Sequence, residues 1–133
     1  MKSQRKQPQM ERSMFQAYVR RSDVAAELYK EAFGLDEVAD YGRHDDGTYM
    51  HAELDVFGQV LALSELPKDA TPSAGNTMQL CLHLGGGKED VVRKAYDVLQ
   101  DGATIHYPLA PCDWSSLMFG LVDKHGVNWC VFC

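Results

Sequence analysis

Residues 77–132 read TMQLCLHLGGGKEDVVRKAYDVLQDGATIHYPLAPCDWSSLMFGLVDKHGVNWCVF, and the order of periodicities within them decides the fold. Thr77–Leu84 is short, β-prone and apolar in alternation, the pattern of a strand. Glu89–Asp101 then places Val92, Ala95, Tyr96 and Leu99 at helical spacing, and Gly102 ends the helix. Ala103–Leu109, Ser115–Val122 and Val127–Phe132 follow as three more strands. One helix followed by three strands is a βαβββ unit.

The preceding half repeats that order. Met14–Val19 is a strand. Ser22-Asp23 offers an N-cap, and Val24, Ala25, Leu28, Tyr29, Ala32 and Phe33 follow at helical spacing up to Gly34. Leu35–Arg43, Thr48–Phe57 and Gln59–Leu66 read as strands, with Asp45-Asp46-Gly47 and Gly58 at the turns. Asp23-Val24 and Tyr29 recur as Asp90-Val91 and Tyr96, which supports an internal duplication. The expected fold is therefore α+β. Two βαβββ modules, 14–67 and 77–133, make a curved, mainly antiparallel sheet cup with the helices outside. Pro67 through Asn76 is the linker. Neither module can bury its helix stripe and sheet face alone, so the two should pair.

Outside the modules, residues 1–13 are polar and Gln-rich with Pro8, and are expected to form a flexible leader. The chain of 133 residues carries a formal net charge of −6. Lys2, Arg5, Lys6 and Arg12 sit in the leader, so the body is more acidic still. That balance argues against a nucleic-acid surface, which needs clustered cations. No apolar run reaches the ~18 residues of a membrane span, and no secretory leader is visible. A cytoplasmic protein with reduced Cys81, Cys112, Cys130 and Cys133 is the expectation. Cys130 and Cys133 have CxxC spacing, but on a strand positions i and i+3 face opposite ways.

Several strings resemble one family. AELYKEAFG at 26–34, MHAEL at 50–54 with LALSE at 61–65, and FGLVDKHGVNW at 119–129 are similar to motifs of the vicinal oxygen chelate superfamily. That group comprises glyoxalases, bleomycin-resistance proteins and extradiol dioxygenases, and the resemblance is sharpest to its PhnB-like branch. Lys124-His125 stands where Pro-Phe is common there. The resemblance implies a ligand cavity, a small-molecule partner and a homodimer. In many members it also implies a divalent metal held by one residue from each of four strands. The matching positions are Met14 or Gln16, Leu63 or Glu65, Gln79 or His83, and Cys130, of which Gln16, Glu65, Gln79 and Cys130 make the best quartet. This is a poor set, because amide oxygens are weak donors and a thiol must ionise to bind well.

Other candidates come from the residues themselves. His51, Glu53 and Asp55 share one strand face, either as an acid–base row or as a solvated face behind Ala52, Leu54 and Val56. Trp114 and Met118 are candidates for a pocket wall. Gly85-Gly86-Gly87-Lys88 precedes a helix but lacks phosphate-loop spacing. The expected function is small-molecule binding in the cup. The alternative is a metal-dependent lyase, isomerase or dioxygenase.

Overall fold

The computed structural model describes residues 7–133; Lys2, Arg5 and Lys6 lie outside the described residues. The first module runs β1 (Phe15–Val19), α1 (Ser22–Phe33), β2 (Ala39–Asp40), β3 (Ala52–Val56) and β4 (Gln59–Glu65). The second runs β5 (Leu80–His83), α2 (Glu89–Leu99), β6 (Thr104–Cys112), β7 (Ser115–Val122) and β8 (Asn128–Phe132). Each module forms a four-stranded mixed sheet, in the orders β1-β4-β3-β2 and β5-β8-β7-β6. β1 pairs with β4 in parallel and β5 with β8 in parallel, while the other pairs are antiparallel. The two sheets thus have the same wiring, as a duplicated βαβββ unit requires. The second expected strand of module one, Leu35–Arg43, is the shortest, with only Ala39–Asp40 and an isolated Arg43–Tyr49 bridge.

Strand parity divides each sheet into two faces. Ala52, Leu54, Val56, Leu61 and Leu63 are wholly buried on the helix side of the first sheet. Phe119, Leu121, Trp129 and Val131 do the same in the second, with Leu117 nearly so. The two helices also pack on each other, and one continuous apolar core joins both modules. The opposite face of the second sheet is left open at Cys81, His83 and Tyr107, whereas that of the first carries buried Ala62 and Glu53.

Both helix starts depart from a simple side-chain cap. Before α1, Arg21 adopts φ +58 and offers no side-chain cap. The carboxylate of Glu65, from the end of β4, takes that role instead. It accepts from the backbone N–H groups of Arg21 (3.0 Å) and Ser22 (2.8 Å) and from the Ser22 hydroxyl (2.8 Å). A carboxylate there satisfies orphan donors and faces the positive end of the helix dipole. Gly34 closes α1 with φ +65, and Leu35 N–H donates back to Lys30 C=O, as expected for a glycine at that position.

The modules are locked together at Asp123, buried in the β7–β8 turn. Its Oδ2 accepts from the Tyr29 hydroxyl of α1 (2.7 Å) and from Trp129 Nε1 (2.8 Å). Its Oδ1 accepts from the backbone N–H of His125 (2.8 Å) and Val127 (3.2 Å). Four donors converge on one buried carboxylate, which answers its desolvation without a cation. Burial, with Asp123 beside it, holds the Tyr29 phenol well above its ordinary range.

Candidate functional site

On the open face of the second sheet, register builds two rows of side chains. Cys81 pairs with Cys130, Cys130 with Gly120, and Gly120 with Tyr107. The next row is His83, Phe132, Met118 and Ala110. His83 stacks on Phe132, with ring centroids 4.6 Å apart and an interplanar angle of 15°. Trp114, in the β6–β7 turn, meets the same ring edge-on at 5.0 Å and 89°. Trp114 is nevertheless 62% exposed and Tyr107 63%. Tyr107 lies over Gly120, where an added Cβ would sit 3.1 Å from its ring. The absence of a side chain at Gly120 is what leaves room for the ring there. Large aromatic surface is therefore held in place and left uncovered.

Polar groups border this platform. Gln79 donates to Asn128 Oδ1 at 3.1 Å and accepts from the Cys81 thiol at 3.6 Å. Burial and the neighbouring Cys81 push the Cys130 thiol up to about 11. At neutral pH it is a protonated, weakly nucleophilic thiol. Cys133 packs on the core side of the sheet with Ser116 Oγ at 3.4 Å, so Cys130 and Cys133 do face opposite ways.

The first sheet carries the charged cluster. Glu53 is only 8% exposed. Arg12 grips it through two bonds, 2.6 and 2.9 Å, and His51 Nε2 lies 2.8 Å from Oε2. These partners hold the Glu53 carboxyl down to about 2, Arg12 contributing most. Asp55, by contrast, is exposed and accepts from Gly58 N–H in the turn. Arg12 belongs to the segment read as a flexible leader, and this ion pair seats it on β3. Arg12 was missed because a lone cation in a polar leader carries no pattern; its signal was the unmatched carboxylate row.

The four residues proposed as a metal quartet do not share a face. Glu65 is the correction. Its Cα partner across the sheet is Val19 and it shares a face with Leu61 and Leu63, under α1. Gln16 points the other way, donating to Ser64 Oγ at 3.1 Å, and lines a cavity of about 270 Å³ with Tyr18, Met78 and Asn128. Gln79 and Cys130 lie on the open face of the second sheet. Among the described residues, no three His, Cys, Asp or Glu side chains converge on a possible metal position. With its carboxylate committed to capping α1, the donor set does not fit a catalytic divalent ion. Met118, 9% exposed, and Trp114 do meet on the platform, through Phe132.

Two βαβββ modules that share one core define a class of small α+β proteins. The chain belongs to the Glyoxalase/Bleomycin resistance protein/Dioxygenase superfamily, whose family model matches residues 13–131. Its fold is similar to that of a PhnB protein from Bacillus cereus (21% identity, TM-score 0.72, covering 92% of this chain and 98% of that one). It is also similar to a glyoxalase/bleomycin resistance protein/dioxygenase family enzyme from Burkholderia phytofirmans (16%, TM-score 0.64, 90% and 95%). The fosfomycin resistance protein FosX from Mesorhizobium loti matches as well (11%, TM-score 0.60, 93% and 92%). No curated protein matches the chain in sequence.

Proposed function

We propose that the protein binds a small molecule with a planar apolar surface on the open face of the second sheet, without a catalytic divalent metal. The observation that carries this is Trp114, anchored edge-on to Phe132 yet 62% exposed. Pinned, uncovered aromatic area flanked by a few polar groups is the chemistry of a ligand wall. Gln79, Cys81 and His83 supply those polar groups. Tyr18, on the first sheet, is also exposed, at 61%.

Such surface also supports a homodimer, in which a second copy covers part of the open face. Light scattering checks this: a dimer mass at micromolar concentration is the expected outcome, and a monomer overturns it. Four free cysteines fit a reducing, cytoplasmic setting.

The binding reading is tested with 1-anilinonaphthalene-8-sulfonate as probe. Trp129 is wholly buried, so Trp114 is the tryptophan a ligand on this face would quench. Trp114→Ala should weaken the probe about tenfold, the ~1.4 kcal/mol of one aromatic contact, and Trp114→Phe should restore most of it. Equal affinity in Trp114→Ala overturns the reading. One divalent ion retained per chain after purification would favour the lyase, isomerase or dioxygenase alternative instead.

A further inference from the structure

Cys81 and Cys130 are not explained by an aromatic platform. They are direct partners across the parallel β5–β8 pair, both thiols lie on the open face, and both are free. Cys81 is on an edge strand and exposed; Cys130 is half-buried. On the far side of Cys130 stands Gly120, with the Tyr107 ring laid over it. The pair is therefore walled on one side and open at the β5 edge.

Geometry decides what two such thiols can hold. Neighbouring strands are about 4.7–4.9 Å apart. A disulfide would need the two sulfurs to close to about 2.05 Å, and both cysteines are free. Zinc needs about four donors and calcium about six to eight oxygens, and no three ionisable ligand groups converge among the described residues. Two thiolates alone satisfy a soft closed-shell ion that accepts linear two-coordination. Two collinear metal–sulfur bonds of roughly 2.3 Å span roughly 4.6 Å, within reach of two side chains rooted side by side on strands about 4.7–4.9 Å apart.

We propose that Cys81 and Cys130 form a two-thiolate site for a soft monovalent ion of the copper(I) type, bridging β5 and β8. Binding breaks two S–H bonds, releases both protons to solvent and forms two metal–sulfur bonds, with no change of oxidation state. Burial of Cys130 and its unionised thiol are compatible with this, since a bound cation displaces the proton.

The test is an anaerobic titration of the reduced full chain with copper(I) against the chromophoric competitor bicinchoninate. One equivalent per chain should be retained, with thiolate-to-copper charge-transfer absorption. X-ray absorption should show two sulfur neighbours. Cys81→Ser should weaken binding about a hundredfold or more, and Cys130→Ser likewise, while Cys112→Ser and Cys133→Ser bind as the parent does. Because Cys81 is exposed, Cys81→Ser decides the matter even if Cys130→Ser fails to fold. Parent-like binding by Cys81→Ser, loss of binding in Cys112→Ser, a three-sulfur shell, or no copper held against the competitor would each overturn the proposal.

Discussion

Two carboxylates with similar sequence surroundings have opposite duties. Glu65 ends a strand and caps a helix; Glu53 sits mid-strand and holds a cation. Glu65→Ala removes the acceptor of three hydrogen bonds at the start of α1. Leaving those donors unpaired should cost about 1–3 kcal/mol, seen as a lower urea midpoint with unchanged slope. Affinity for the naphthalene probe should not move, because Glu65 is on the helix side. For Glu53, the folded carboxyl is held at about 2 against an ordinary 4.5. A depressed carboxylate pKa stabilises the fold above pH 4.5 and loses that contribution as pH falls from 4.5 toward 2. Thermal melts of Glu53→Gln should therefore lie below those of the parent near neutral pH, with the gap closing over that window. A constant gap down to pH 2 would contradict the ion-pair origin of the effect.

At the level of elements, α1 does two jobs. Its apolar stripe covers the first sheet, and Tyr29 reaches Asp123 in the second module. Tyr29→Phe keeps the ring packing against Trp129 at 5.5 Å but removes the hydroxyl. Asp123 then loses one of its buried donors, at a cost of about 1–3 kcal/mol in chemical denaturation. Trp129→Phe acts on the same oxygen, so the double variant should be non-additive. Strict additivity would mean that the two donors do not share an acceptor. The helices and strands were legible because their periods differ: DVVRKAY has apolar spacing of three to four, and TMQLCLHL alternates. Glu65 was not legible, because VLALSE is apolar on both faces: Leu61 and Leu63 on one, Val60 and Ala62 on the other. Parity says that Leu63 and Glu65 agree. It does not say which side the helix takes.

Across the whole molecule, the two modules share one core through Tyr29, Phe33 and Trp129. Separate unfolding of the halves would expose this junction on both. The chain should thus unfold in one calorimetric transition with equal calorimetric and van't Hoff enthalpies. Two resolved transitions would show the modules to be independent.

The duplicated βαβββ order, the helix-ending glycine and the opposed faces of Cys130 and Cys133 all follow from local rules of period, turn chemistry and strand parity. Those rules act within a few residues, so the linear chain already contains them. The Arg12 grip on Glu53, the helix cap from Glu65, the Asp123 lock and the Cys81–Cys130 pair join residues far apart in sequence, 41, 43 and 94 positions in the first three. Each depends on which strands become neighbours and which face a helix covers. That choice is made by burying the shared core as a unit, and no short stretch of the chain encodes it.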